Sequence, residues 1–148
     1  RVENIAVKIP AGIESGKRIR LSGQGEPGSN GVPGDLYILV KVDEHPSFRR
    51  QGNDLIVKTP VTLSEAVLGA KVEIPTPKGE ILLTIPPGTS SGKRIRVKGH
   101  GVSTNAGTGD LYAEIQIVLP DTIDSDLEAA LKKNAQRHPQ NPRTQLKW

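Results

Sequence analysis

One stretch of this sequence is written twice, and that repetition limits the folds open to the chain more than any other feature. Ser15-Gly-Lys-Arg-Ile-Arg20 recurs unchanged as Ser91 to Arg96. Around it, Pro10 matches Pro86, Gly12 matches Gly88, and Gly23-Gln-Gly25 matches Gly99-His-Gly101. After a one-residue gap, Gly34-Asp-Leu-Tyr37 recurs as Gly109-Asp-Leu-Tyr112. The period of about 75 residues exceeds the roughly 20–50 of a solenoid unit and has the size of a small domain, so it reads as duplication.

Each copy follows one grammar. Apolar residues alternate at Ile5, Val7 and Ile9, and again at Ile81, Leu83 and Ile85. A Pro-x-Gly turn follows. Next comes a strand with Ile19 and Leu21, or Ile95 and Val97, on one face and two arginines on the other. A glycine loop then leads to a third strand, carrying Leu36, Ile38, Val40 and Val42 in one copy and Leu111, Ala113, Ile115, Ile117 and Leu119 in the other. A period of two marks strands with one buried face.

The second copy has added material in front. Leu55 to Val61 reads as a strand, Thr62-x-x-Glu65 as a capping box, and Gly69 as the stop of a short helix. Val72 and Ile74 make another strand, and Thr76-Pro-Lys-Gly79 makes a hairpin turn. The first copy has no equivalent, so its opening strands are expected upstream of Arg1. Beyond Pro120 the period changes. Ser125-x-x-Glu128 reads as a capping box, Ile123, Leu127, Leu131 and Ala135 fall at helical spacing, and Lys132 and Lys133 suit a helix C-terminus. His138-Pro ends the helix, and Arg143 to Trp148 reads as an extended tail. The expected architecture is all-β: two tandem small β-sandwich-like domains, residues 1–52 (N-terminally truncated) and 53–120, with a C-terminal helix and tail over 121–148.

Composition narrows the chemistry. The chain has no cysteine, which removes disulfides and thiolate metal sites and suits a reducing compartment. No apolar run approaches the roughly 20 residues of a membrane span, and no segment reads as a signal peptide. The formal charge of +4 allows weak phosphate binding without requiring it. Gly88-Thr-Ser-Ser-Gly92 spells a nucleophile elbow, but a strand, not a helix, is expected after it, and Glu14 stands at the matching place in the first copy. Gly23-x-Gly25-x-x-Gly28 spells a dinucleotide fingerprint with no helix to follow. His45, His100 and His138 lie in separate loops without metal-ligand spacing. The expectation is a non-enzyme that needs no metal or cofactor. Asp35 and Asp110 are expected to act structurally at strand starts.

Lys17, Arg18, Arg20, Lys93, Arg94 and Arg96 form a repeated basic set. It reads either as a solvated strand face or as a surface for phosphates or acidic peptide. No aromatic is interleaved with it, which argues against a single-strand stacking platform. Phe48, in His45-Pro-Ser-Phe48, is the single phenylalanine. It reads equally as a plug at a domain junction or as a ring presented to a groove.

Val7-Lys-Ile-Pro-Ala-Gly12, Gly-x-Arg-Ile-Arg, Gly-Asp-Leu-Tyr, His-Pro-x-Phe, Asn53-Asp-Leu and Leu63-Ser-Glu-Ala-Val-Leu-Gly-Ala-Lys-Val-Glu-Ile-Pro75 together resemble the C-terminal region of DnaJ-type co-chaperones, in order from Ile5 to Leu119. Asn141-Pro-Arg143 and Trp148 are similar to the end of the zinc-free, curved-DNA-binding-protein branch. The resemblance implies binding of unfolded polypeptide and its delivery to a DnaK-type ATPase in the bacterial cytoplasm, as part of the stress response. It implies a peptide groove at Phe48, with Ile9 and Leu39 beside it. It also implies homodimerisation through Ile123, Leu127, Leu131 and Trp148, and weak DNA binding beside the nucleoid. No membrane partner is implied. The competing readings are a DNA-binding β-module on the arginine faces and a purely architectural dimerisation domain.

Overall fold

The computed structural model describes residues 6–23, 25 and 34–148. Ile5 and Gly28, which enter the strand and fingerprint readings above, lie outside the described residues. The chain forms two compact units that divide between Ile117 and Val118.

The first unit is built of strands. β1 (Arg18–Leu21) pairs antiparallel with β2 (Leu36–Leu39) in a two-stranded ladder. β3 (Phe48–Gln51), β4 (Asp54–Thr62), β10 (Leu111–Val118) and β7 (Arg94–Val97) form a four-stranded sheet in the order β3-β4-β10-β7. α1 (Leu63–Leu68) leads from β4 to the hairpin of β5 (Ala70–Thr76) and β6 (Gly79–Ile85). β8 (Ser103–Thr104) and β9 (Gly107–Thr108) make a small hairpin inside the second glycine loop. The protein is all-β apart from α1 and α2 (Ser125–Arg137), the helix of the second unit.

The apolar alternation does what a period of two requires. Leu111, Ala113 and Ile115 of β10 point into one core with Val57, Val61, Ala66, Ile74, Leu83 and Ile85. Each fully buried Ile or Leu contributes about 1.5–3 kcal/mol, so this cluster holds the second copy together. Thr59 is buried on the same strand face with its hydroxyl donating to the Val57 carbonyl (3.2 Å), so that buried hydroxyl is satisfied. The Thr62 capping box forms as expected. Thr62 Oγ1 accepts from the Glu65 N–H (3.1 Å), Glu65 Oε1 accepts from the Thr62 N–H (2.8 Å), and Gly69 (φ 80°) ends the helix. Thr76 Oγ1 closes the predicted turn by donating to the Gly79 carbonyl (2.6 Å).

Several expectations are corrected. Residues 6–10 are irregular, and Ile9 is exposed. The matching strand β6 exists because β5 pairs with it along its whole length, whereas no described strand pairs with residues 6–10. Val42 and Leu119 both lie beyond the ends of their strands and are exposed. α2 is capped one residue earlier than expected. Asp124 Oδ1, not Ser125, accepts from the Leu127 N–H (2.8 Å), because a carboxylate is the stronger acceptor at the positive end of the helix. α2 runs on to Arg137, so Lys132 lies mid-helix and pairs with Glu128 (2.9 Å), and Arg137 occupies the last turn. The tail is not simply extended, since the Leu146 N–H donates to the Arg143 carbonyl (3.0 Å) and closes a turn.

The two Pro-x-Gly turns share a backbone but not an environment. Gly12 and Gly88 have φ of 73° and 74°. A Cβ on Gly88 would meet nothing within 4 Å, whereas one on Gly12 would strike the Ser103 carbonyl and the Thr104 and Val102 side chains. The first copy's turn thus rests against β8 of the second. Gly88→Ala is expected to cost about 1–2 kcal/mol from the left-handed backbone alone. Gly12→Ala should cost about 1–3 kcal/mol more from overpacking. Urea unfolding of the two variants checks this, and equal losses would contradict the packing.

Candidate functional site

The repeated hexapeptide is a wiring motif. Gly16 N–H donates to the Val40 carbonyl (2.7 Å) and Val40 N–H to the Lys17 carbonyl (2.8 Å). In the second copy Gly92 and Ile115 N–H donate to the Ile115 and Lys93 carbonyls at 2.7 and 2.8 Å. Ser15 Oγ accepts from Val42 N–H (3.1 Å), and Ser91 Oγ from Ile117 N–H (3.0 Å). The serine of each hexapeptide thus continues the pairing past the end of the ladder. Ser90, at the centre of the nucleophile-elbow pattern, is followed by strand β7 and not by a helix.

Past the wiring, each copy closes its glycine loop with an ion pair. Arg20 Nε and Nη2 both reach Asp35 Oδ2, at 2.8 and 2.6 Å, while Asp35 Oδ1 accepts from the Gly23 N–H (3.2 Å). Arg96 and Asp110 repeat the two contacts at 2.8 and 2.6 Å, with the Gly99 N–H donating to Asp110 Oδ1 at 2.8 Å. The Gly99 amide, and next the Arg96 guanidinium, hold the Asp110 carboxyl below its ordinary range. The hydrogen bond and charge of Asp110 raise Arg96 in turn.

These clasps divide the basic set. Arg18, Arg20, Arg94 and Arg96 all face outward, with Lys17 and Lys93 exposed in the preceding turns. Arg20 and Arg96 are engaged with aspartate, which leaves Lys17, Arg18, Lys93 and Arg94 outside the clasps. Aromatic rings do interleave with the arginines, across strands and not along the chain. Arg20 lies opposite Tyr37, and Arg96 opposite Tyr112. The sequence carries the signal as the conjunction of Arg-x-Arg with Gly-Asp-Leu-Tyr, but only the register reveals it. Tyr37 was not among the expected site residues.

Phe48 lies on β3 in the second copy's sheet, partly buried against the core and edge-on to His45 (centroids 4.9 Å apart, planes at 88°). It also lines a cleft of about 720 Å³ with Val42, His45, Pro46 and Leu55. Ile9 and Leu39 are exposed and do not line that cleft, so the structure does not bring the three residues together. Arg50, another residue the sequence did not single out, bridges the copies. Its guanidinium donates to the Ile13 carbonyl (3.1 Å) in the first copy and to Asn53 Oδ1 (3.3 Å) in the second. In the second unit α2 buries none of its residues, Ile123 and Leu131 are each 48% exposed, and Trp148 is fully exposed. Among the described residues no helix is long and apolar enough to cross a membrane, and no cluster of three His, Asp or Glu side chains could hold a metal ion.

Fold and site together define a duplicated β-module with clasped glycine loops and outward basic faces. Comparison with known proteins adds a match to the DnaJ C terminal domain over residues 1–120. The chain belongs to that family. It is 52% identical over 128 residues to the curved DNA-binding proteins of Escherichia coli strains SMS-3-5 and K12 / DH10B, an alignment covering 86% of this chain and 42% of each relative. The chain therefore spans less than half the length of the curated relatives it matches.

The clasp makes a pH-dependent contribution whose sign is fixed. A carboxylate held below its ordinary value of 3.8 stabilises the fold above that value, and the contribution fades as pH falls through the lowered one. Asp110→Asn should therefore melt below the native chain near neutral pH, with the gap closing as pH drops under about 4. Melting curves from pH 2 to 7 measure it; a gap that widens in acid would contradict it.

Proposed function

We propose that this chain is a polypeptide-binding part of a DnaJ-type co-chaperone, one that holds non-native chains and passes them to a DnaK-type ATPase. One observation carries the reading. In the first copy Tyr37 and Leu39, at 57% and 66% exposure, stand on the open face of a ladder that is two-stranded among the described residues. A ladder with outward apolar side chains suits an extended polypeptide, which lies along the strands and contacts those side chains. Family membership supports the same reading. The cleft at Phe48 offers a neighbouring apolar contact. Phe48→Ala should weaken suppression of a denatured client's aggregation. Its melting loss should fall short of the roughly 3–5 kcal/mol of a fully buried ring. Unchanged suppression with a large melting loss would make Phe48 a core plug only.

A second reading, DNA binding, is favoured by the name of the curved DNA-binding relatives and by the four cations outside the clasps. Such binding is electrostatic and falls steeply with salt. Arg18→Ala or Arg94→Ala should each lower the slope of log affinity against log salt by about 1, with smaller changes for Arg20→Ala and Arg96→Ala. Gel shifts over a salt series test this; a salt-independent shift would count against it.

Self-association belongs to the same proposal. α2 carries Leu127 and Leu131 one turn apart, with Ile123 just before its cap, and buries none of them fully; such apolar side chains gain by packing on a second copy. Sedimentation of Leu131→Lys should show a reduced dimer fraction, and an unchanged one refutes the role.

A further inference from the structure

We infer that the junction between the two copies is a hinge closed by one side chain: Arg50 is the latch, and residues 43–46 are the pivot. This goes beyond the polypeptide-binding reading and does not depend on it.

The pivot is marked by where the connecting chain is tied. Between β2 and β3, residues 40–47 form no strand or helix, and 41–47 are exposed. One end is held to the first copy, since the Val42 N–H donates to Ser15 Oγ (3.1 Å). The other is held to the second copy's sheet, since the Lys58 N–H donates to the Ser47 carbonyl (3.2 Å). Asp43, Glu44, His45 and Pro46 lie between the two ties. Among the described residues their one hydrogen bond stays local, with His45 Nδ1 accepting from the Ser47 N–H (3.0 Å). A short exposed segment of this kind absorbs the backbone rotation of a hinge motion.

Little else joins the copies. No described residue from 6 to 42 is fully buried, so apolar burial across the junction is slight, and relative motion is the default for such an interface. The Gly12 turn rests against residues 102–104 without a hydrogen bond among the described residues. Among those residues one hydrogen bond joins 6–42 to 47–117, from Arg50 Nη1 to the Ile13 carbonyl (3.1 Å). The guanidinium is aimed before it crosses. Nε donates to the Gly52 carbonyl (2.6 Å) and Nη2 to Asn53 Oδ1 (3.3 Å), both in the turn after β3. The planar fork therefore carries its remaining donors to the first copy in a fixed direction. Glu14 adds a carboxylate oxygen 3.9 Å from Nη2.

Arg50 and Glu14 line both the cleft at Phe48 and a second cleft of about 660 Å³ beside Gly12, Lys17 and Thr104. The latch is thus a narrow neck between two open spaces, and turning on residues 43–46 widens one at the expense of the other. A hydrogen bond from a charged donor shifts an equilibrium about tenfold to a hundredfold. The side chain of Arg50 is 24% exposed, which places its bond at the low end.

The test reads the separation of the copies. The chain has no cysteine, so Ser22→Cys and Thr84→Cys, both at exposed positions, take one spin label in each copy. Double electron–electron resonance is recorded on labelled chain diluted in excess unlabelled chain. With Arg50 intact the distances should form one peak. Arg50→Ala should raise the displaced population about tenfold, seen as a broadened or second peak. Arg50→Lys keeps the charge and the aliphatic stem but not the fork, so it should broaden the distribution too, and it decides the matter if the alanine variant does not fold. Amide exchange at Ile115 reads the second copy's core on the same samples and should not change. A distribution that stays as narrow in the folded variants as in the native chain overturns the inference, as does a native distribution as broad as theirs. Broadening with lost protection at Ile115 also overturns it, because Arg50 would then support the sheet and not the junction.

Discussion

A glycine-rich loop between two strands cannot define its own path, because glycine restricts the backbone least of all residues. In both copies one aspartate ties the two ends of the loop together. Its Oδ1 takes a glycine N–H on one side of the loop, at Gly23 or Gly99, and its Oδ2 takes the last arginine of the hexapeptide. The loop is thereby tied to both strands it joins, and the register of β1 on β2 and of β7 on β10 follows. Which residues face outward, and which cations remain available, depends on that contact. Half of the arginines in the basic set support the loops, and half are left to solvent.

Much of this was legible in the sequence because duplication makes pattern visible. Ser-Gly-Lys-Arg-Ile-Arg occurring twice marks a local structure with fixed demands, and the serine, glycine and backbone contacts are the same in both copies. The strands of the second copy follow from apolar alternation, because a core is present to receive one face. The first copy shows where such reading stops. Alternation at Val7 and Ile9 is the same signal as at Leu83 and Ile85, yet a strand also needs a partner for its ladder, and the described residues supply none. The cap of α2 was read one residue late because Ser125 and Asp124 both suit the position, and a carboxylate competes better there. Tyr37 and Arg50 carry no local signal of their roles: their partners are distant in sequence, and only the register and the fold bring them together.

The copies share wiring and differ in burial. All the buried apolar residues among those described fall between Ile56 and Ile115. Ile115 is 1% exposed, while its counterpart Val40 is only partly buried. The second copy therefore has the features of an anchor, with a core fed by β4, α1, β5, β6 and β10. The first leans on it through Arg50 and the Gly12 turn, and keeps Tyr37 and Leu39 outward.

Native-state amide hydrogen exchange tests this division directly, since the same two hydrogen bonds exist in each copy. Gly92 and Ile115 are expected to exchange only with global unfolding. Gly16 and Val40, hydrogen-bonded at the same distances, should exchange orders of magnitude faster, through local opening. Equal protection at the four amides would contradict the account, because it would mean that the first copy is as firmly held as the second.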